Sequence, residues 1–181
     1  MAEDNISHNE NNNNSNNNND PSTSLTKVDS KIYNLTNGEE LRFEVDTSPV
    51  EILLKSGKAE MFGTELRPEK LYQFKKGDKV AIFTFHDCKI LLSGNPEVEY
   101  VAKETPMRFY INLSNSLEGL RIEAKKSQKP GPNVLITGPT DVGKSTLARI
   151  LLNYAVRSGR TPIFVDLDVG QGSITIPGCI G

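Results

Sequence analysis

The chain has 181 residues, of which 36% are hydrophobic, and a formal net charge of −2. That length allows one good-sized domain or two small ones, and the near-balanced charge excludes a protein that coats nucleic acid through bulk basicity, so any RNA or DNA must be held by a local patch. The two cysteines, Cys88 and Cys179, stand in no metal-ligand spacing and suggest neither a disulfide framework nor a zinc site.

The opening residues MAEDNISHNE are polar and acidic with no apolar stretch behind them, which is not a secretory signal. No window approaches the roughly 20 apolar residues of a membrane span. A cytosolic or nuclear protein without a membrane role is expected. Residues 1–30 read as a disordered tail, because asparagine runs from Asn11 to Asn19 with only Ser15 interrupting it and offers nothing to bury.

From 31 to 113 the texture is that of short strands. Leu41–Val45, Val50–Leu54, Ala59–Phe62, Val80–Phe85, Lys89–Leu92, Val98–Val101 and Arg108–Ile111 alternate or run apolar between turn residues. Many short strands without a helical period predict an all-β sandwich or small barrel. Ser114 to about Gln128 then reads as a helix, with Asn115 and Glu118 at capping-box spacing and Leu117, Leu120 and Ala124 sharing a face. Lys125–Pro132 ends it as a solvated linker, so residues 114–132 join two unlike parts of the chain.

Residues 133–181 have α/β texture. Val134–Thr137 is a continuously apolar strand pattern, Lys144–Arg157 an amphipathic helix with Leu147, Ile150, Leu151, Tyr154 and Ala155 inward, and Pro162–Val169 a second apolar strand pattern. Gly159 suits the turn that ends the helix. One strand–helix–strand unit cannot cover its own sheet, so the sequence reads as part of a longer protein, with the start of an α/β P-loop NTPase domain.

Between the first strand and the helix lies Gly138-Pro139-Thr140-Asp141-Val142-Gly143-Lys144-Ser145-Thr146. The pattern Gly-x4-Gly-Lys-Ser in that setting is a phosphate-binding loop. Its glycines let successive backbone N–H groups turn inward toward phosphate oxygens, and the helix dipole adds positive potential. Lys144 supplies a mobile charge for the β and γ phosphates, the Ser145 hydroxyl suits magnesium, and Asp141, Val142, Gly143 and Thr146 complete the cradle, so ATP or another nucleoside triphosphate with Mg2+ is expected. Asp168, at the end of the second strand pattern, stands where open α/β sheets bind ligands, and can order magnesium directly or through water, or accept a proton from an attacking hydroxyl. Asp166 would face the same side but deeper, as a site acid or a hydrogen-bonded strand-end acid. Gln171, between Gly170 and Gly172, could orient a substrate group. These residues leave small-molecule kinase, GTPase, ATPase motor and nucleic-acid kinase open.

The stretches Gly138–Thr146, Leu151–Arg157 and Asp166–Gly178, with Glu40–Val45, Phe62–Leu66 and Thr105–Met107 upstream, resemble the polyribonucleotide 5′-hydroxyl kinases of the pre-mRNA cleavage and polyadenylation machinery. The resemblance runs from about Glu39 to the end. It implies an N-terminal β-sandwich, a central P-loop kinase domain and a small C-terminal domain, of which this chain holds the first and the start of the second. It implies that Glu40 and Lys79 help hold ATP, whereas position alone would make them a strand-edge acid and a turn lysine. It further implies Asp141–Thr146 as the phosphate-binding stretch and Asp168 as the hydroxyl-activating carboxylate; taken with the loop chemistry, Lys144 and Asp168 are the expected catalytic residues and Ser145 and Asp168 the expected magnesium residues. RNA 5′-hydroxyl ends, tRNA among them, and subunits of the processing complex would be partners, in the nucleus. The family's lid arginines would lie past Gly181, so this chain alone is expected to be inactive. The alternative is an ATP-bound scaffold that transfers no phosphate.

Overall fold

A computed structural model of the chain describes residues 29–168, 170, 172, 174 and 179–181. The asparagine tail and Gln171 therefore lie outside the described residues.

Among the described residues nine strands and two helices follow in order: β1 (Ser30–Leu35), β2 (Glu40–Glu44), β3 (Val50–Gly57), β4 (Glu60–Met61), β5 (Thr64–Glu65), β6 (Leu71–Phe74), β7 (Lys79–Phe83), β8 (Cys88–Ser93), β9 (Val98–Ala102), α1 (Met107–Lys126) and α2 (Lys144–Arg157). The strands form two antiparallel sheets, β1-β8-β3-β6 and β5-β4-β7-β2-β9. They face each other as the expected sandwich. Alternation explains the packing: Val50, Ile52 and Leu54 of one sheet meet Leu41, Phe43, Val80 and Ile82 of the other in one core. Phe43 and Phe74 close it edge to face, centroids 5.3 Å apart.

The same period sends Glu40, Arg42 and Glu44 of β2 to the other face of the second sheet, beside Lys79 and Ala81 of β7. Helices cover one end of that face. Phe83 joins Met107 of α1 and Ile150 and Tyr154 of α2 in a second apolar cluster.

Three expectations are corrected. Arg108–Ile111 is not a strand but the first turn of α1, which begins at Met107 and not at Ser114. Met107, Ser114 and Leu117 are its buried positions, and this helical stripe prevails over the β propensity of four residues. The capping-box pair lies inside the helix: Pro106 is the N-cap, Glu118 turns instead to Arg121 and Arg160, and Leu120 is exposed. Finally, 134–137 and 162–168 form no strand. A strand exists only in a ladder, and these two segments do not pair with each other. Leu135 and Ile163 accordingly stay 75% and 92% exposed.

The helix Lys144–Arg157 has the expected bounds, with Ile150, Leu151, Tyr154 and Ala155 buried. Among the described residues no helix is long and apolar enough to cross a membrane.

Candidate functional site

The phosphate loop is held in place by what α2 packs against. The β4–β5 hairpin turns through Phe62 (φ 49°) and Gly63 (φ 81°), the two left-handed residues of a tight two-residue turn. A side chain at Gly63 would come within 3.0 Å of the Ile150 carbonyl oxygen, so α2 rests directly on this turn. Asn153 Nδ2 donates to the Phe62 carbonyl at 2.8 Å, and the Arg149 guanidinium lies 5.5 Å from the Phe62 ring. Buried Glu60 of β4 accepts from Tyr154 Oη and, at 2.8 Å, from Arg157 Nη1. Burial and then the Glu60 carboxylate push the Tyr154 hydroxyl far above its ordinary pKa. Arg160, just past α2, donates through Nε to Glu118 of α1 at 2.9 Å and holds that carboxyl below its usual range. Helix and sandwich are thus joined by an apolar contact rimmed with charge-assisted hydrogen bonds.

This docking aims the loop at the outer face of the second sheet. Between them lies a cavity of about 510 Å³. One wall is Glu40, Arg42, Glu44 and Lys79 of the sheet; another is Asp141, Val142, Gly143 and Thr146 of the loop; Phe62, Tyr100 and Tyr110 add aromatic surface. Gly143 takes φ 86° as the N-cap of α2, which a glycine adopts without strain, and Asp141 also sits in the left-handed region at φ 59°. Lys144 Nζ folds back to donate to the Pro139 carbonyl at 2.5 Å.

Glu40 is 4% exposed yet lines this cavity. Arg42 Nε donates to its Oε1 at 2.5 Å, while Arg42 Nη1 reaches Tyr100 Oη at 3.4 Å. Burial opposes the Arg42 charge, but the bonds to Tyr100 and Glu40 outweigh it and leave its pKa raised. Lys79 is exposed and pairs with Glu44 at 3.0 Å. In the ladder Lys79 opposes Glu44 and Phe83 opposes Glu40, which places Glu40 and Lys79 about 13 Å apart along the strands.

The structure therefore brings Glu40, Lys79, Asp141, Val142, Gly143 and Thr146 around one cavity. Lys144, Ser145 and Asp168 do not line it. Asp168 is exposed; its Oδ1 accepts from the Gly170 amide at 3.0 Å, and its own amide donates to buried Asp166 Oδ1 at 3.1 Å. Arg42, Phe62 and Tyr100 were not singled out by sequence; only the strand period of β2 could have paired Arg42 with Glu40.

The cavity fits a nucleotide, since a glycine-turned loop that can cradle phosphate faces a polar wall with a buried carboxylate. Ser145 and Asp168 offer a hydroxyl and a carboxylate, the hard oxygen donors that magnesium takes.

The fold and this loop define a class: a β-sandwich joined to the beginning of a P-loop domain. Residues 34–124 match the family model described as the N-terminal beta-sandwich domain of polyadenylation factor, and 138–181 match that of the mRNA cleavage and polyadenylation factor CLP1 P-loop. The chain belongs to the CLP1 family. It is 58% identical over 151 residues to the Anopheles gambiae protein CLP1 homolog, covering 82% of this chain and 36% of that protein. It is 54% identical over 150 residues to the Homo sapiens polyribonucleotide 5′-hydroxyl-kinase Clp1, covering 82% of this chain and 35% of that one. A solved complex of wild-type Clp1p with Pcf11p matches with a TM-score of 0.75 at 28% identity, over 84% of this chain and 36% of that one. The chain thus spans about a third of the length of the relatives it matches.

Proposed function

We propose that this chain is the nucleotide-binding portion of an ATP-dependent RNA 5′-hydroxyl kinase of nuclear pre-mRNA 3′-end processing, acting also on tRNA. The observation that carries the reading is the cavity shared by the sandwich wall and the phosphate loop. In this reading the base and ribose lie against the sandwich wall between Glu40 and Lys79, and the phosphates reach the loop. The amides of 141–146 donate to phosphate oxygens, and Lys144 leaves the Pro139 carbonyl to bridge the β and γ phosphates. Ser145, and Asp168 directly or through water, would hold magnesium, which would supply further neutralisation of phosphate charge.

In the whole protein, Asp168 accepts the proton of the RNA 5′-hydroxyl as its oxygen bonds to the γ phosphorus. The β–γ bridging bond breaks and ADP leaves. Subunits of the cleavage and polyadenylation complex are the protein partners, in keeping with family relatives solved in complex with Pcf11p.

One observation favours binding without transfer by this chain alone: Asp168 is exposed and lines no part of the cavity. Calorimetric titration with ATP tests the first part of the reading. Binding that Lys144→Ala weakens at least about tenfold supports it, and absence of ATP binding by the wild-type chain overturns it. Incubation of the chain, and of a longer form carrying the full P-loop domain, with γ-labelled ATP and 5′-hydroxyl RNA separates kinase from scaffold. Label is expected on RNA with the longer form only, and lost on Asp168→Asn.

A further inference from the structure

The wall of the cavity carries a feature that the phosphate loop does not explain. Glu40 is a carboxylate with 4% exposure, and among the described residues its only hydrogen bond comes from Arg42, which holds Oε1 at 2.5 Å. A buried carboxylate with one oxygen tied and the other unpartnered is an acceptor waiting for a donor. Arg42 is itself steadied by Tyr100 Oη at 3.4 Å, so the tie is fixed from behind.

The nucleobases differ in how they would use such a group. Guanine presents two parallel donors, its ring N1–H and its 2-amino group, which a carboxylate with both oxygens open accepts as a pair. Adenine presents one amino group beside a ring nitrogen that only accepts. With Oε1 held, a second donor brought to that oxygen would meet the positive guanidinium. The remaining oxygen is left to face the base edge alone, and it cannot take guanine's two parallel donors in the paired fashion that needs both oxygens.

We propose that Arg42 is a specificity-determining residue of the nucleotide site: by occupying one oxygen of Glu40 it makes that carboxylate a single acceptor, suited to the lone amino group of adenine and unsuited to the paired donors of guanine. This rests on the reading of the cavity as a nucleoside triphosphate site. Arg42 acts through Glu40 and touches no phosphate.

The test is competitive binding of ATP, GTP and inorganic tripolyphosphate to the chain and its variants, with thermal melts as a check on folding. The wild type is expected to favour ATP over GTP. Arg42→Met opens both oxygens of Glu40 and should narrow that preference about tenfold, chiefly by tightening GTP, with tripolyphosphate affinity unchanged. Arg42→Lys, which restores a cation beside Oε1, should recover the preference. Arg42→Leu, which likewise leaves Oε1 without a donor, carries the same test where the Met variant does not fold. An ATP:GTP ratio that is the same in Arg42→Met and wild type, or ATP, GTP and tripolyphosphate all weakened alike, overturns the assignment while leaving the nucleotide site standing. A wild-type chain that binds neither ATP nor tripolyphosphate overturns the site reading and this assignment with it.

Discussion

Arg157, in the last turn of the phosphate-loop helix, donates to Glu60 of the sandwich at 2.8 Å across 97 residues of sequence. Tyr154, one turn earlier, donates to the other oxygen of the same buried carboxylate. Removing Glu60 would leave two donors facing each other over an empty space. Glu60→Ala is expected to cost about 2 kcal/mol, the loss of hydrogen bonds to a buried charged group, discounted because Arg157 is partly solvated. Urea unfolding at neutral pH measures it. Glu60→Gln, which still accepts from Tyr154, should cost less than Glu60→Ala. Equal midpoints for the alanine variant and the wild type would show that this contact does not fasten the helix.

Gly63 tests the same docking through the backbone. Its φ of 81° is unfavourable for any side chain, and an added Cβ would lie 3.0 Å from the Ile150 carbonyl oxygen and 3.2 Å from Asn153 Cβ. Gly63→Ala therefore has to strain the turn and push α2 outward, at about 2 kcal/mol. A control at Gly77 separates the two causes, since its φ of 90° brings the same backbone strain with no atom within 4 Å of the added Cβ. Thermal melts should rank wild type above Gly77→Ala above Gly63→Ala. Equal melting points for the two variants would remove the close approach from the explanation.

What could be read ahead of the structure followed from how local each feature is. The helix Lys144–Arg157 was legible because its apolar stripe repeats within the segment and Gly143 and Gly159, both with positive φ, bracket it. The sandwich was legible because alternation at Leu41–Val45 and Val80–Phe85 is a two-residue period. The start of α1 was not, because Phe109, Tyr110 and Ile111 suit either element and only packing against α2 decides between them. Its real start signal was Pro106, with Thr105 Oγ1 accepting from the Met107 amide at 3.3 Å. Strands at 134–137 and 162–168 were read from apolarity, but a ladder needs a partner that apolarity does not supply. At the site, the loop was visible as a motif. The pairing of Arg42 with Glu40 depends on the strand period, and their meeting with Asp141 depends on the docking of α2.

Alkaline pH should loosen the fold through two tyrosines. Burial foremost, with the Glu60 carboxylate, raises the Tyr154 pKa from 10.0, and burial with the Glu99 carboxylate raises that of Tyr33 to about 12. In both cases the folded value exceeds the unfolded one. The stabilisation is then complete below pH 10, because both states carry the proton there. Above pH 10 the unfolded chain releases protons that the folded chain retains, and stability falls, for Tyr33 between pH 10 and about 12. Unfolding midpoints followed from pH 8 to 11.5 should drop more steeply for the wild type than for Tyr154→Phe or Tyr33→Phe. Parallel slopes for all three would contradict the assignment of these hydroxyls.

The two cysteines should differ in reactivity as sharply as in burial. Cys88 ends a strand pair in the sandwich core at 6% exposure, and burial pushes its thiol up to about 11, against a weaker opposing hydrogen bond from Thr84. Thiolate is the reactive form, so at pH 8 Cys88 holds almost none and is shielded besides. Cys179 is exposed. Native chain treated with a thiol-specific reagent at pH 8 should therefore take one equivalent rapidly, at Cys179, and the second only on unfolding. Cys179→Ser should leave the folded chain nearly inert. Because Cys88 reacts only when the sandwich opens, its labelling rate in that variant reports the opening of the core itself, and Glu60→Ala should leave that rate unchanged if the helix can undock while the two sheets stay closed. A rate that rises in step with the loss of stability would mean instead that sandwich and phosphate-loop helix unfold as one unit.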